Sequence, residues 1–560
     1  MGVGAQELPP PGPPVQRLLA ACHGQRIDAI VIHSSAPTVA SLKRVPALQA
    51  IVRTLHVTTR PEVIRRYLLL EEGEPCDELR RAESERILRA QPFIADAEVY
   101  VVPNAEGGVD LEVRTSDEGA VVLGGSVRAR APMVTALLLG NANLAGEGIY
   151  ASGSWREGEG FRDGIAGRLI DHQFLGQPWI VGVEAERASL GGSWRIDGAH
   201  PYLTDLQRVA WRLRTGASKG QAELRQPDGT RPLVALERDF YDLGAIARVG
   251  PPGHLALVGL SITGEGSRAG DRLLAFDTGV VRDLGSVPVP YPAYRVGRLN
   301  ALIGLRDIRF VRMEGLDALT AAQDVPLGYQ IGGQAGHSVK LLGADSPDVA
   351  LAGDLYVGAS VRGSTLRIQL QGEGRRALGQ ARWDDVLTTG RVTHIRQHSP
   401  RLLNQVQLEW SGGYHARVPF QLLLGLPGGG VRGYEESAFA GGQRIVARAE
   451  ERWAFSPVFN FADAGVALFT DAGRQWAGDV PYGVTTPIKT SVGISLLAAV
   501  PPRSSRMWRA DLAFPLNAGA NARWTLRVTN GDRTAFEFRT PSDVADRRAQ
   551  TVPRSLFAWP

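Results

Sequence analysis

Arg432, Glu450 and Asp471 are the residues whose types and order suggest specific chemistry. Arg432 lies in Val431-Arg432-Gly433-Tyr434, directly after Leu426-Pro427-Gly428-Gly429-Gly430, a stretch able to form a sharp, closely packed loop. Phe469 and Asp471 stand two apart in Phe469-Thr470-Asp471-Ala472-Gly473, so on a strand their side chains share a face. Arg444, Arg448, Glu450 and Arg452 also share a face, opposite Ile445, Ala447 and Ala449. If the charged faces line an interior, Arg432 on an inward-folded loop can meet Asp471 and Glu450. A guanidinium presents a planar fork that fits a carboxylate with two parallel hydrogen bonds, which Lys cannot reproduce. The chemistry is that of a clamp between loop and wall. The alternative is a solvated Arg432 on an outer loop.

Other reactive sets are weak. The ten histidines are dispersed, and the closest pair is His394 and His398. On a strand that spacing puts both rings on one face but about 13 Å apart, too far to share a metal ion. No GxxxxGK[ST], GxSxG, HExxH or CxxC motif occurs, so the sequence supports no enzyme class, and neither a cofactor nor a metal is expected. The net charge of +4 is small and no long Lys/Arg run exists, which argues against nucleic acid as a partner. Cys22 and Cys76 are the two cysteines. Both fall in or beside one N-terminal unit, and in an oxidising compartment they are a candidate disulfide. The alternative is two buried free thiols.

A chain of 560 residues is too long for one ordinary core, so at least two domains are expected. No stretch approaches the roughly 18 apolar residues of a membrane helix. Residues 1–23 read as a Pro-rich leader without a secretion signal, which implies a trimmed or misassigned start. Residues 24–117 read as a βααββ unit. Ile27 to Ile32 forms the first strand, and a variable connection from Ser34 to His56 follows. Thr59 is expected to cap a helix that starts near Pro61, with Glu62 reaching back, and that runs to Leu69. A second helix covers about Asp77 to Ala90, with Leu79, Ala82, Ile87 and Leu88 as its apolar stripe. Strands follow at Ala95 to Val102 and Val109 to Arg114.

From about Gly119 the period becomes two. Val209, Trp211 and Leu213 alternate with Arg208, Arg212 and Arg214. Leu366, Ile368 and Leu370 alternate with Arg367, Gln369 and Gln371. Val406, Leu408 and Trp410 alternate with Gln405, Gln407 and Glu409. One apolar and one charged face, repeated through the rest of the chain, predicts a mainly β, transmembrane antiparallel β-barrel with lipid outside and a wet lumen. A soluble sandwich is the competing reading.

Two stretches carry a resemblance. Leu55-His56-Val57-Thr58-Thr59-Arg60-Pro61, then Glu72-Gly73-Glu74-Pro75, Glu83 to Arg89 and Pro92-Phe93-Ile94 resemble a polypeptide-transport-associated (POTRA) domain. Val431-Arg432-Gly433-Tyr434, Glu450-Glu451-Arg452 and Phe469 to Gly473 resemble an inner loop, a Glu-bearing strand and an F-x-D strand of the barrel. Both stretches are similar to those of the BamA/TamA outer-membrane assembly-factor family (bacterial surface antigens). Asn141 to Gly148 is similar to the family's early-barrel stretch, and Asp511 to Leu516 to its penultimate strand. The resemblance implies about 16 barrel strands, over residues 118–536, and leaves 537–560 as a polar tail of unassigned role. It implies that the Val431–Tyr434 loop lies inside the barrel, with Glu450, Phe469 and Asp471 as its wall partners.

The implied location is the outer membrane of a Gram-negative bacterium, with the N-terminal unit in the periplasm. The implied partners are unfolded outer-membrane or secreted polypeptides, outer-membrane lipid and periplasmic accessory proteins. The function expected is insertion or translocation of polypeptides, with client strands captured on a POTRA edge formed by residues 94–117 and on the barrel seam. A two-partner-type secretion pore for one exoprotein is the alternative. A plain diffusion pore would have no use for the N-terminal unit or the loop motif.

Overall fold

The computed structural model describes residues 20–36, 57–127, 134–158, 162–188, 190–277, 280–316, 318–425, 429–434, 439–458, 462–517, 524–531 and 543–544. Most of the leader, the connection before His56 and the tail fall outside the described residues.

The N-terminal unit has the order β1 (Ile27–Ser35), α1 (Pro61–Arg65), α2 (Glu78–Ala90), β2 (Ile94–Pro103) and β3 (Val109–Asp117). Its sheet runs β1-β3-β2, with β1 parallel and β2 antiparallel to β3. Alternation buries Val99 and Val101 of β2 and Val109, Leu111 and Val113 of β3 against Val63, Ile64, Ile87, Leu88 and Phe93. Cys22 and Cys76 are joined in a disulfide, with Cα atoms 5.0 Å apart, tying the entry strand to the start of α2.

Three local expectations are corrected. Helix α1 ends at Arg65, short of Leu69, and its N-cap is Arg60. Thr59 caps nothing. Its backbone N–H and hydroxyl both donate to the Asp117 carboxylate at 2.7 Å, and it accepts from Asn143 Nδ2 at 2.7 Å. A hydroxyl that bridges two buried polar groups is better satisfied there than at a solvated helix end. Helix α2 is capped by Asp77, which accepts from Arg80 N at 2.8 Å. It buries Ser84, Ile87 and Leu88 and leaves Leu79 and Ala82 exposed. The charged residues Arg81, Glu85 and Arg89 lie along β2. Arg81 donates to Val99 O at 2.8 Å, Arg89 to Ala97 O at 3.2 Å, and Val99 N donates to Glu85 at 3.3 Å.

The large sheet is antiparallel throughout and runs from Val121–Val127 to Thr525–Gly531. Twenty strands make its wall among the described residues, where the resemblance implied about 16. Two more, Arg272–Asp277 and Val280–Ser286, form a hairpin standing off the wall, because His254–Ala269 and Tyr294–Glu314 pair directly. The strand order brings Thr525–Gly531 round to Val121–Val127. Those two strands have 7 residues each, and among the described residues no residue-by-residue pairing joins them. The strand opposite, Tyr294–Glu314, has 21.

Outward side chains include Leu260, Ile303, Leu408, Leu468 and Leu526, all exposed. Inward ones include Arg212, Arg298, Asp348, Arg375 and Glu409, all buried. A soluble protein places these types the other way round, whereas lipid outside and a polar interior give this arrangement. Among the described residues no helix is long and apolar enough to cross a membrane, which says nothing of strands.

The N-terminal unit docks on the short-turn end of the barrel. The turn Asn143 to Gly148 lies against it. Gly146 has φ +74° and a Cβ there would stand 2.4 Å from Thr58 O, while Gly148 has φ +72° and faces the Phe93 ring. Glycine is thus needed in this turn for both backbone and space. Arg89 makes two hydrogen bonds to Asp324 at 2.9 and 2.8 Å, and Arg312 donates to Glu85 at 3.2 Å. Arg86 stands 4.3 Å over the Phe310 ring. At the junction, Glu118 accepts from Ser504 Oγ at 2.7 Å and from Ser505 N at 3.0 Å.

Candidate functional site: a loop clamped inside the barrel

The strands Gln443–Val458, Ala462–Trp476, Lys489–Ala499 and Met507–Pro515 are neighbours in the wall. Period-two geometry sends Arg448, Glu450 and Arg452 of the first inward, together with Phe469 and Asp471 of the second. The long connection between Leu402–Tyr414 and Gln443–Val458 folds onto this face. Leu422–Leu423 pairs with Ala440–Gly441 at its base, and Val431 N donates to Leu424 O at 2.6 Å.

Arg432 reaches the wall from that loop. Its Nε and Nη2 donate to the two Asp471 oxygens at 2.7 and 2.6 Å, and its backbone N donates to the same carboxylate at 3.2 Å. The Asp471 side chain is 0% exposed. The guanidinium lies 3.5 Å over the Phe469 ring, so ring and carboxylate hold it from two directions. Arg432 Nη1 is 3.6 Å from Glu450 and 3.8 Å from Asp511. Val431 is buried among Leu424, Tyr434 and Val446. Gly433 turns with φ +89°. The Tyr434 hydroxyl stands 3.1 Å from Thr490 O and 2.7 Å from Asn517 Oδ1. The structure therefore brings Val431, Arg432, Gly433, Tyr434, Glu450, Phe469 and Asp471 together. Cys22 and Cys76 lie apart, in the N-terminal unit.

The network extends past the residues singled out from sequence. Arg509 makes two hydrogen bonds to Glu450, at 3.0 and 2.6 Å, and one to Asp511 at 2.6 Å. Arg452 donates to Glu450 at 3.1 Å and to Leu316 O at 2.8 Å. Three guanidiniums (Arg432, Arg452, Arg509) thus meet three carboxylates (Glu450, Asp471, Asp511). Arg448 joins the loop itself, donating to Gly430 O at 2.8 Å. Arg509 and Asp511 stand two apart on one strand, and that spacing was the available signal for them. A balanced, closely hydrogen-bonded cluster holds position and offers no unpaired nucleophile or base among these six groups. Its chemistry is to fix the loop against the wall.

Fold and site together define a β-barrel with a docked N-terminal domain and an interior loop clamped to the wall. No family model and no curated protein matches the chain. Among solved structures, BamA from Haemophilus ducreyi lacking POTRA domains 1–3 is similar over 90% of this chain and 85% of its own, at 11% identity and a TM-score of 0.38. CdiB from Escherichia coli is similar over 90% and 75%, at 11% identity and a TM-score of 0.44. CdiB from Acinetobacter baumannii is similar over 90% and 73%, at 11% identity and a TM-score of 0.40.

Proposed function

We propose that the protein is an outer-membrane β-barrel that inserts or translocates polypeptides, in the manner of BamA/TamA-type factors. The observation that carries this reading is the clamp of Arg432 on Asp471 and Phe469. It keeps a long loop inside the lumen, where a simple diffusion pore would gain nothing from it. The low wall supports the insertion form of the reading. Among the described residues Val121–Val127 and Thr525–Gly531 have 7 each, fewer than the roughly 9–11 that span a bilayer. A client strand could pair along that seam and close its own ladder in lipid.

The N-terminal unit is the proposed receiver of extended clients, with one change of place. Strand β3 is central and has no edge. The outward backbone groups of β2 at Ala97, Val99 and Val101 are met by Arg89, Glu85, Arg81 and Ala20. On β1, Ile30 N donates to Glu72 at 3.2 Å, and by alternation the next outward groups are at Ile32 and Ser34. The proposed edge is therefore β1.

A secretion pore is the second reading, favoured by one observation. Asp543, beyond the last wall strand, sits against lumen-facing Arg444, so the lumen accommodates a polypeptide segment. Photo-crosslinkers at Leu123 and Leu526, on the outer face beside the seam, separate the two in cells. Insertion gives adducts with membrane barrels from both positions. An absence of such adducts, with secreted protein trapped from lumen positions alone, replaces insertion by secretion.

A further inference from the structure

The hairpin of Tyr294–Glu314 and Ala322–Ser338 leaves the wall at the docked end. Pairing with the neighbouring strands His254–Ala269 and Asp348–Val361 stops at Asp307 and Gly328. The hairpin goes on pairing with itself, from Arg309 opposite Leu327 to Glu314 opposite Ala322. Gly328 has φ +121°, and a Cβ there would stand 2.0 Å from Asp307 O, so the bend requires glycine. Lumen-facing Tyr356 donates to Pro326 O at 2.7 Å, which holds the bend inward.

Beyond the bend, one face of the hairpin is apolar and buried. Val325 and Leu327 share a cluster with Leu316 and with Ile395 and Leu403, which face the lumen by alternation with Arg391 and Glu409. Leu319 is 1% exposed, in a cluster with Ala454, Ala467 and Leu497. Ala454 and Ala467 face the lumen as Arg452 and Phe469 do. Five strands stand in the wall between Ala322–Ser338 and Ala462–Trp476, so Leu319 reaches across the mouth. There the Thr320 hydroxyl donates to Asp463, and Arg452 donates to Leu316 O at 2.8 Å. The opposite face carries Phe310, Arg312 and Asp324, which meet the N-terminal unit.

We propose that this hairpin is a strap that shuts the docked-end mouth beneath the clamped loop, and that Arg452 ties its release to release of the loop. Swinging about Gly328 breaks no ladder bond of the wall, because the free part of the strap pairs only with itself. It does break the hydrogen bonds of Leu316 O and Thr320, and it admits water below Arg452. Arg452 holds both Leu316 O and Glu450, and Glu450 holds Arg509 and faces Arg432. A buried charge cluster of this kind weakens when water raises the local dielectric. The strap belongs to the barrel itself, whatever passes through, and no client is needed to observe it.

The test uses the full chain, with heat-modifiable gel mobility to check that each barrel is folded. The mouth is read by the rate at which Ala454→Cys reacts with a hydrophilic maleimide; Cys22 and Cys76 are joined and do not react. The loop is read by amide exchange of residues 431–434. Leu319→Asp, outside the clamp, should raise the labelling rate at least severalfold and speed exchange in the loop. If it fails to fold, replacement of residues 315–321 by Asn-Gly decides instead, because that turn joins paired Glu314 and Ala322 directly. Arg89→Ala loosens the N-terminal unit but keeps Leu316, Leu319 and Thr320 in place, and should leave Ala454→Cys protected. Slow labelling in a folded strap variant overturns the strap. Labelling with Arg89→Ala as fast as with Leu319→Asp makes the N-terminal unit the cover and overturns it too. Fast labelling with unchanged loop exchange overturns the tie through Arg452.

Discussion

Arg432 and Asp471 stand 39 residues apart in sequence and are joined by two parallel hydrogen bonds of 2.7 and 2.6 Å. Removing the guanidinium leaves a fully buried carboxylate without its main partner, a cost of about 3–5 kcal/mol. Arg432→Ala therefore lowers the barrel's thermal stability and abolishes complementation. Arg432→Lys recovers little, because an ammonium cannot fill both oxygens and cover Phe469 at once. Heat-modifiable mobility as a function of temperature reads the effect. Wild-type mobility and full complementation by Arg432→Ala would remove the clamp from the account.

Docking of the N-terminal unit rests on Arg89 and Asp324, whose side chains are 8% and 16% exposed. Arg89→Ala or Asp324→Ala should loosen the unit from the barrel by about 3 kcal/mol. The exchange Arg89→Asp with Asp324→Arg should recover part of that loss. Amide exchange over residues 78–90 measures it. Unchanged protection in both single variants would show that the contact does not hold the unit.

Glu85 makes the packing of α2 on β2 pH-dependent. Burial pushes its carboxyl up, but the Arg89 guanidinium, the Val99 N–H and Arg81 outweigh burial and hold it below the usual glutamate range. A lowered carboxylate contributes stability above its unfolded value, and the contribution is lost as pH falls through the folded value. That packing should therefore be constant from neutral pH down to the ordinary glutamate value of about 4.3 and weaken below it. Amide exchange at Val99, whose N–H donates to Glu85, reports it. Loss of protection that begins near pH 6 would point to another group.

Client pairing at β1 predicts that Ser34→Pro removes an outward donor and lowers the yield of client crosslinks to the N-terminal unit. Val99→Pro removes a donor already used by Glu85, so it weakens the unit itself. Circular dichroism of the full chain and the disulfide state separate folding from pairing. Full crosslink yield in folded Ser34→Pro would place the client elsewhere.

The clamp was legible because a strand repeats every two residues, so Phe469 with Asp471 and Arg448 with Glu450 had to share faces. The same rule contained Arg509 and Asp511, but alternation alone does not say which inward pairs touch. Strand number was less legible. Strands such as Ile149–Arg156 and Gly164–Asp171 have 8 residues each and merge with their turns in a sequence rich in glycine. Thr59 was misread because one side chain type serves both helix caps and buried ties, and only the fold brings Asp117 and Asn143 to it. Arg444 showed its face but not its partner. Asp543 lies in a polar segment without period, and a single buried ion pair leaves no pattern there.

The central claim is that the barrel moves polypeptides into or across a membrane, and the rate of client folding tests it most directly. A urea-denatured outer-membrane barrel protein is diluted into liposomes with and without the purified chain, and its heat-modifiable folded form is followed in time. The account predicts at least about tenfold faster appearance of folded client with the chain present, a barrier lowered by about 1.4 kcal/mol, and loss of that gain with Arg432→Ala. Equal rates with and without the chain, together with no protease-protected polypeptide inside the liposomes and free passage of small solutes, would contradict it and leave a diffusion pore.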